Sequence, residues 1–570
     1  MASAVIIAGI LIYVFLYHIF GGFLAKKIIK VDDSRKTPAH SHYDGVDFIP
    51  ARRTVLFGHH FASIAGAAPI IGPVIALAWG WLPGLLWVWL GNIFIGAIHD
   101  YFALMASVRC RGCSIQFIAM DFFGKKTGRY VQWFVLFLLI LVIAAFGAVV
   151  GKTFESSPQV ASSYFFTVLA ALALGVLMYR LKMEFKLATL IGIALLGLSL
   201  WLGKLFPVSL SYNTWMVILF AYIVTASALP VNVLLQPRDY LNSWLLYAGM
   251  VLGVVGGLGS LCRFTAPAVT QFAPVVLESR ATPFWPIIPL IIACGSLSGF
   301  HSLVASGTSS KQLDKETDGL FIGFGSMFTE GMLSTLVIVC ISSFGLMIFQ
   351  EKLGASPLPG SWGRDYSSLL NHEKIGGPVS LFSLSYARMI SRTLPFISEK
   401  ILGIFAAIWV SSFALTTLDT TNRLGRYVIS DLSSDLREKS QVFHHLVTNK
   451  WIASLIPAVL GIFLAASGKY KVIWPAFGAA NQLLASIALI TGTLWVIKAS
   501  RIKRSAWIFI PSVFLWVTVT CALAWFIVFV LPGYIRENIL TGIILAVISV
   551  AMMVINLLLS KSFYLKSSNE

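Results

Sequence analysis

The chain has 570 residues, of which 57% are hydrophobic and 12% charged, and its mean hydropathy is +0.83. Soluble proteins carry about 25% charged residues, so this composition excludes a soluble protein and indicates a polytopic helical membrane protein. The net charge of +18 does not indicate nucleic-acid binding, because basic residues collect in the cytoplasmic loops of membrane proteins. Apolar runs of roughly 20 residues also exclude a β-barrel.

The apolar runs predict about fifteen membrane-spanning helices. The predicted spans are 2–25, 55–79, 84–108, 131–151, 161–179, 187–203, 214–235, 243–261, 284–305, 319–349, 398–422, 451–467, 473–497, 506–531 and 538–560. The first run lacks a basic start and a small-residue cleavage site, so we expect a retained helix and not a signal peptide. Most Lys and Arg residues fall in alternate loops, which predicts an external amino terminus and a cytoplasmic carboxyl terminus.

The second span, FGHHFASIAGAAPIIGPVIALAWGW (57–81), is not expected to form one continuous helix. Pro69 and Pro73 each remove a backbone donor and clash one turn back. Polar backbone freed in this way is tolerated in a membrane only where protein or a water-filled cavity satisfies it. The stretch therefore predicts a broken helix at a transport site.

The seventh span carries a similar pattern, with Ala226-Ser227 followed by Ala-Leu-Pro at 228–230. Because the two spans lie five apart, the predicted topology gives them opposite orientations. Paired interrupted helices of this kind predict an inverted repeat with its binding site at mid-depth. We therefore divide the chain into an N-terminal helix and cytoplasmic link (1–54), a transport core (55–425, with halves 55–203 and 214–425) and accessory helices (426–570).

The long segment 351–397 is predicted to be external. Its part from Val379 to Leu394 is basic and amphipathic, with Arg388 and Arg392, which favours a helix at the membrane interface over a sixteenth span.

Ionisable residues within spans are costly and are therefore candidates for function. His59 and His60 can exchange protons near neutral pH, or they are core histidines bonded to carbonyl groups. Asp100 can pair with one of these histidines, bind a cation or cap a helix break. Glu330, in the middle of the tenth span, suits a proton relay.

The ninth span contains hydroxyl groups at Ser298, Ser302 and Ser306, and residues four apart share one face of a helix. Such oxygen ligands can hold a sodium ion or a chain of water molecules. The simpler interpretation is that small residues let helices pack closely.

Four charged residues are predicted to act as gates or anchors. Asp419 lies one turn from Arg423, which favours an ion-paired lock between helices, and Arg238 and Asp239 are predicted to end the seventh span. Asn481 and Gln482 are expected mainly to bond helices together.

Cys110 and Cys113 form a lone C-x-x-C in a basic loop, without the second pair or histidines of a zinc site. We expect no metal and no cofactor. The sequence has no zinc-protease, hydrolase or phosphate-binding motif, so it predicts neither an enzyme nor direct use of ATP.

Several long strings resemble the carbon starvation protein A (CstA) family. They are TPAHSHYDGVDFIPARR (37–53), VLFGHHFASIAGAAPIIGPVIA (55–76), LPVNVLLQPRDYL (229–241), SGFHSLVASGTSSKQ (298–312), FALTTLDTTNRLGRYVI (413–429) and IWPAFGAANQLLAS (473–486). The resemblance runs through nearly the whole chain. The chain departs from the family at His99-Asp100, where Gln-Asp is expected, and it lacks the amino-terminal helix of longer relatives.

The resemblance implies an inner-membrane carrier for peptides or pyruvate when preferred carbon is scarce, with proton coupling for the pyruvate members. It also implies a LeuT-like core in which the second and seventh spans are the broken pair and the ninth span flanks the second.

Together these observations predict a secondary active transporter that imports a small carboxylate-bearing solute, peptide or pyruvate, with a proton or a sodium ion. The predicted solute ligands are Ser63, Gly66, Ala67, Ser227, Asn232 and His301. The predicted ion-coupling residues are His59, His60, Asp100, Ser298, Ser302, Ser306 and Glu330. A passive channel, a nutrient sensor and an intramembrane enzyme remain alternatives.

Overall fold

The structure is a computed structural model that describes residues 2–270, 274–277, 280–292, 294–433, 440–467, 470–500, 506–537 and 539–569. Within these ranges the chain is almost entirely helical, as predicted. The exception is a short antiparallel ribbon of β1 (Val275–Leu277) and β2 (Arg280–Ala281).

The helices before the ribbon are α1 (Ala2–Leu16), α2 (Pro38–Ser41), α3 (Arg53–Ala65), α4 (Ala68–Ala76), α5 (Trp81–Gly91), α6 (Ala97–Arg109), α7 (Ile115–Phe123), α8 (Lys125–Ser156), α9 (Pro158–Gly175), α10 (Phe185–Leu205), α11 (Tyr212–Ala228) and α12 (Leu235–Gly259). Tighter or wider helical turns extend them at Tyr17–Gly21, Leu24–Ile29, Leu77–Trp79, Asn92–Gly96 and Val176–Arg180.

The helices after the ribbon are α13 (Phe284–Ile291), α14 (Gly299–Gly307), α15 (Ser326–Leu353), α16 (Trp362–Leu370), α17 (Gly377–Thr393), α18 (Glu399–Leu432), α19 (Gln441–Thr448), α20 (Lys450–Ala466), α21 (Tyr470–Ser500), α22 (Ala506–Trp525), α23 (Leu531–Glu537) and α24 (Ile539–Asn569). The additional turns here are Ser309–Lys311, Glu316–Asp318, Leu320–Gly325, Pro359–Ser361 and Phe526–Val530.

In the described ranges, ten helical stretches are long and apolar enough to cross a bilayer, and the bent pair α3–α4 makes eleven. Three further apolar helices are shorter: Tyr212–Ala228, Lys450–Ala466 and Leu545–Leu558. The chain is thus a multi-pass membrane protein. The predicted count of about fifteen is not reached by length and composition, because α11 and α20 have 17 residues each and the ninth predicted span is divided.

The second span is interrupted, as its prolines and glycines predict. α3 ends at Ala65 and α4 begins at Ala68, with a bend of 42° between the two stretches. Gly66 adopts φ 52° and ψ −147°, a conformation that favours glycine. Pro69 lies in the first turn of α4, where its missing N–H has no intrahelical acceptor to lose.

The predicted break in the seventh span is wrong. α11 is one continuous helix that ends at Ala228, and Pro230 lies in the link before α12. Leu229 is extended, with φ −72° and ψ 152°, as the residue before a proline prefers. Pro230 therefore stops a helix instead of bending one, and the Pro69–Pro230 correspondence does not support the inverted repeat.

The ninth span holds the second interruption. α13 ends at Ile291, α14 begins at Gly299, and Gly295 between them has φ 85°. α13 packs against α4, and α14 packs against α3. The ninth span therefore flanks the second, so the two interruptions belong to neighbouring spans.

The segment 351–397 folds onto the helical bundle. The indole of Trp362 in α16 donates a hydrogen bond to Leu77 O at 2.9 Å, and the Tyr366 hydroxyl donates one to Val74 O at 2.8 Å. α16 thus covers the end of the second span. We call this side of the bundle the Trp362 end, and the side where α3 begins the Asp47 end.

A helix, α17, covers nearly all of the stretch Val379–Leu394 predicted to lie at the membrane interface, and it packs against the helical bundle. α17 packs against α12, α15 and α18, and it buries Phe382, Tyr386 and Ile390. Its Arg388 forms ion pairs with Glu351 at 2.7 Å and Glu399 at 2.8 Å. The basic pattern of this helix therefore serves ion pairs within the protein.

Candidate functional site

Two adjacent histidines of α3 point in different directions from the helix. Successive residues of an α-helix are rotated by about 100°, so His59 and His60 meet different neighbours. His59 Nδ1 lies 2.6 Å from Asp239 Oδ2 of α12. His60 Nε2 lies 2.8 Å from Asp100 Oδ2 of α6, and His60 Nδ1 lies 2.7 Å from Ser309 Oγ. The predicted pairing of Asp100 with a histidine of the second span is confirmed.

His59 belongs to a buried set of charges that we call the Arg238 network. It consists of His59, Arg238, Asp239, Asp419 and Tyr222, and the four ionisable side chains have no exposure to solvent. Arg238 donates hydrogen bonds to Asp239 and to Asp419, and it also donates to the Tyr222 hydroxyl at 2.7 Å. The Tyr222 hydroxyl donates to Asp419 Oδ2 at 3.1 Å. The network joins α3, α11, α12 and α18.

The charges of the Arg238 network balance when the network holds one proton, on His59 or on a carboxylate. Arg238 contributes one positive charge, and Asp239 and Asp419 contribute two negative charges. A net charge buried in a membrane protein costs several kcal/mol. Among the described residues, His59 Nε2 has no hydrogen-bond partner. One nitrogen of the titratable ring is therefore free to meet a proton, a water molecule or a solute.

The predicted gate residues take different partners from those expected. Arg238 and Asp239 do not end the seventh span but lie in the first turns of α12. Asp419 pairs with Arg238 and not with Arg423. Arg423 pairs with Asp47 at 2.8 Å and also donates to the carbonyls of Ala226 and Leu229. Asp419 and Arg423 therefore each join α18 to another element of the structure. A lock between helices exists, but Asp419 and Arg423 do not form it with each other.

Asp47 closes the end of the bundle where α3 begins. Its carboxylate accepts hydrogen bonds from Arg423 at 2.8 Å and from Arg426 at 3.0 Å. Burial raises the pKa of Asp47, but the guanidinium groups of Arg423 and Arg426 lower it by more, so its pKa lies below that of an ordinary carboxyl group. The link before α3 is therefore held to α18 by ion pairs that persist at neutral pH.

The break of the second span packs against α18. Thr417 Oγ1 donates to Ser63 O at 3.1 Å, and Ser63 Oγ lies 3.2 Å from Thr420 Oγ1. A Cβ at Gly66 would lie 2.7 Å from Phe146 and 2.9 Å from Thr417. Of the predicted solute ligands, Ser63, Gly66 and Ala67 thus lie together at the break.

Of the other predicted solute ligands, Ser227 and Asn232 lie apart from the break, whereas His301 lies close to the backbone of Ile64 in the last turn of α3. Ser227 Oγ accepts a hydrogen bond from Asn422 Nδ2 at 2.8 Å, near the end of α11. Asn232 lies in the link between α11 and α12. His301 lies in α14, where its Nδ1 is 3.0 Å from Met327 Sδ.

The three serines of the ninth span do not share one helical face, because Ser298 precedes α14 with φ −144° and ψ 133°. Ser298 Oγ donates to Asn481 Oδ1 at 3.1 Å. Ser302 and Ser306 donate to the carbonyls of Gly299 and Ser302 in their own chain segment, both at 2.6 Å. Asn481 also accepts from Phe300 N, so it bonds helices together as predicted.

A second buried cluster lies at the break of the ninth span. Cys294, His301 and Glu330 place one potential ligand atom each within 4.8 Å of the others. His301 Nε2 lies 3.6 Å from Glu330 Oε1. In the described part of the chain, His301 Nε2 and both Glu330 oxygens form no hydrogen bond of normal geometry, although the backbone of Ile64 lies close to His301 and that of Gly295 close to Glu330. The sequence analysis identified His301 and Glu330 but gave no reason to place them together with Cys294.

Residues that sequence analysis missed include Tyr222, Asp47 and Asn92. The motif around Asp47 was visible, but nothing in it indicates an arginine partner in α18. Cys110 and Cys113 are free, half-buried thiols. Cys113 borders a cavity of about 290 Å³ that is also lined by Gly307, Lys311 and Tyr427.

Ten or more membrane spans, two neighbouring interrupted helices and buried ion pairs beside a break are features of a membrane transporter. The chain belongs to the carbon starvation protein CstA family, whose model matches residues 1–360 and 365–523. This confirms the resemblance and favours a transporter over an enzyme.

Two relatives illustrate the similarity. The chain is 32% identical to "Peptide transporter CstA" of Bacillus subtilis, over 98% of this chain and 96% of that protein. It is 30% identical to "Pyruvate/proton symporter BtsT" of Escherichia coli, over 91% of this chain and 81% of that protein. Among solved structures, a manganese transporter of Eremococcus coleocola covers 92% of this chain and 99% of its own at 10% identity, with a TM-score of 0.45. That structural similarity is too weak to define the fold.

Proposed function

We propose that this protein is a secondary active transporter that imports a small carboxylate-bearing solute, a short peptide or pyruvate, together with a proton across the cytoplasmic membrane during carbon starvation. The names of the relatives support both solutes, since one is a peptide transporter and the other a pyruvate/proton symporter. The amino terminus lies outside and the carboxyl terminus in the cytoplasm, as the distribution of basic residues favours.

The observation that carries the proposal is the His59–Asp239 pair at the interrupted span. A proton on His59 makes the Arg238 network neutral, and its loss leaves one uncompensated negative charge in the membrane. Protonation and rearrangement of the network are therefore linked energetically. His60 and Asp100 form a second proton-exchanging pair on the opposite side of α3.

A path for the proton is available beside the second pair. Ser309, which contacts His60, lies in the chain between Gly307 and Lys311, and both of these line the 290 Å³ cavity. Water in this cavity would connect the His60–Asp100 pair to the Asp47 end of the bundle.

The solute carboxylate would bind at the break between α3 and α4. The amino terminus of α4 lies at the break, and a helix amino terminus favours negative charge. The amides of Ile70 and Ile71 donate to Ala67 O, so Ala68 supplies the first amide of α4 for the solute. Ser63, Gly66 and Ala67 line this position. The free His59 Nε2 lies two turns earlier in α3, at the interior side of the network.

Sodium is the second candidate for the coupling ion. Ser63 O, Ser63 Oγ, Thr417 Oγ1 and Thr420 Oγ1 bring four oxygen atoms together at the same break. Oxygen atoms of this kind suit a hard cation. Proton coupling is favoured because the two buried His–Asp pairs adjoin the site.

Alternating access would open one end of the bundle while the other stays closed. The contacts of Trp362 and Tyr366 with α4 close one end, and the Asp47 ion pairs close the other. Arg238, Asp239, Asp419 and Arg423 would act as the gate residues.

The test is uptake by purified protein in liposomes, with labelled pyruvate, dipeptides and tripeptides supplied separately. Accumulation driven by an imposed pH gradient supports a proton symporter, and accumulation driven only by a sodium gradient assigns the coupling to sodium. Uptake that equilibrates without responding to either gradient would show a passive channel. Absence of flux for every solute would favour a sensor.

A further inference from the structure

We propose that Cys294, His301 and Glu330 form a binding site for one divalent transition-metal ion of the zinc class. The three residues come from three elements: the unwound segment after α13, the helix α14 and the helix α15. The proposal gives His301 and Glu330 a role different from the solute binding and ion coupling that the sequence predicts for them.

One distance in the cluster fits the edge of a tetrahedral site. Zinc binds nitrogen and oxygen ligands at about 2.0–2.2 Å, so two ligands on one ion lie about 3.4 Å apart. His301 Nε2 and Glu330 Oε1 are 3.6 Å apart, a distance too long for a hydrogen bond and close to this edge. The Cys294 sulfur completes a set in which all ligand atoms lie within 4.8 Å.

Burial supplies the second, independent argument. His301 and Glu330 have no exposure to solvent, and Cys294 is 3% exposed. His301 Nε2 and both Glu330 oxygens form no hydrogen bond of normal geometry with a described residue, although the backbone of Ile64 lies close to His301 and that of Gly295 close to Glu330. Buried polar atoms normally have a well-formed partner, and a metal ion bound within the cluster would supply one.

Charge and donor type select the class of metal. One thiolate and one carboxylate balance a divalent ion, so the occupied site is neutral inside the membrane. A sulfur ligand with an imidazole favours zinc and related metals over magnesium or calcium, which prefer oxygen. Three protein ligands leave the fourth position open to water.

The cluster is held by neighbouring contacts that do not use the ligand atoms. Asn92 Nδ2 donates to Gly295 O at 3.0 Å and to Met327 O at 2.6 Å, which ties the unwound segment to α15. His301 Nδ1 lies 3.0 Å from Met327 Sδ. A metal ion would cross-link the same elements directly.

The test uses full-length purified protein carrying Cys110→Ser and Cys113→Ser, which removes the half-exposed pair that could bind metal elsewhere. Cobalt(II) added to this background is expected to bind at one ion per chain and to show thiolate-to-cobalt charge-transfer absorption. Zinc should displace it, and magnesium should not. Adding Cys294→Ser should remove this absorption and weaken cobalt binding by more than about 100-fold. Losing a residue that only supports a metal ligand costs about 10- to 100-fold, so a larger loss indicates a direct ligand.

Cys340→Ser is the matched control, because Cys340 is buried like Cys294. It lies in α15, ten residues from Glu330 and about 15 Å along the helix. It should leave the spectrum unchanged. Glu330→Gln, which keeps the size of the side chain, should retain the sulfur absorption with weaker binding. No bound cobalt in the background protein, or an unchanged spectrum after Cys294→Ser in protein of normal thermal stability, would overturn the proposal.

Discussion

Replacing His59 with Gln is expected to separate solute binding from proton-driven accumulation. In the proposed mechanism one proton enters with each solute through the His59–Asp239 pair, whose atoms lie 2.6 Å apart and have no exposure to solvent. One cotransported proton contributes about 1.4 kcal/mol per unit of pH difference, equivalent to a tenfold solute gradient.

The substitution keeps a hydrogen-bond donor near Asp239 but removes the group that becomes positively charged. Two opposite charges about 4 Å apart attract by about 4 kcal/mol at the effective dielectric constant of a protein. Because Gln carries no proton, this attraction is missing from the variant at every step of the cycle. The Arg238 network then keeps one uncompensated negative charge during the transport cycle.

The assay is uptake into liposomes with a pH difference of one unit and the membrane potential clamped at zero. Wild-type protein should accumulate solute about tenfold, and His59→Gln should only equilibrate it. Exchange of labelled for unlabelled solute needs no net proton movement, so the variant should retain it. His372→Gln, which changes an exposed histidine, is the control. Tenfold accumulation by His59→Gln would refute the assignment of proton coupling to His59. Loss of both exchange and accumulation would refute it as well.

Three further predictions concern other contacts. Arg238→Met leaves the buried Asp419 without its cationic partner and should cost about 3–5 kcal/mol, seen as a lower melting temperature, whereas adding Asp419→Asn should recover part of the loss; no recovery would contradict the pairing. Gly66→Ala should destabilise by about 1–3 kcal/mol, because φ is 52° and its Cβ would lie 2.7 Å from Phe146, while Gly197→Ala, with open space around it, should be tolerated. Asp47 has a lowered pKa, so its ion pairs are complete above the ordinary carboxyl pKa and are lost only as the pH falls through the lower folded value. The melting-temperature difference between wild type and Asp47→Asn should therefore stay constant from pH 5 to 8, and a shrinking difference would contradict this.

The membrane class and the first interruption could be predicted from the sequence because each depends on local chemistry. Apolar runs of bilayer length define spans wherever they occur. In the second span, Gly66 and Pro69 lie three residues apart, and together they allow a positive φ and a new helix start. Local backbone preferences were sufficient in this case.

Pro230 shows the limit of the same reasoning. A proline disfavours the helix before it, but whether the chain then bends or stops depends on what packs around the following residues. Val231 N donates to Val46 O, and Gln236 N donates to Val231 O, so the chain after Pro230 makes a turn against the link before α3. Those contacts join residues far apart in the chain and leave no local signal.

The Arg238 network was out of reach for a similar reason. His59 and Asp239 are separated by 180 residues, and Arg238 and Asp419 by 181. The sequence marks each as a costly charge in an apolar setting and therefore as a candidate for function. It cannot indicate which charges meet, since the pairing depends on how α3, α12 and α18 pack together. Arg388 is a similar case. Its amphipathic sequence has the pattern of an interfacial helix, and the sequence does not show that Glu351 and Glu399 pair with it.

The two ends of the bundle are closed by different chemistry, and this difference bears on the transport cycle. At one end Trp362 and Tyr366 donate hydrogen bonds to Leu77 O and Val74 O, at and just after the end of α4, and these contacts are neutral. At the other end Asp47 is held by Arg423 and Arg426. Neutral contacts do not respond to a nearby change of charge, whereas ion pairs on α18 do, and α18 also carries Asp419 of the Arg238 network. In the proposed cycle, a proton that binds His59 would act through α18 on the Asp47 end, while the Trp362 end would respond to whatever fills the break in the second span.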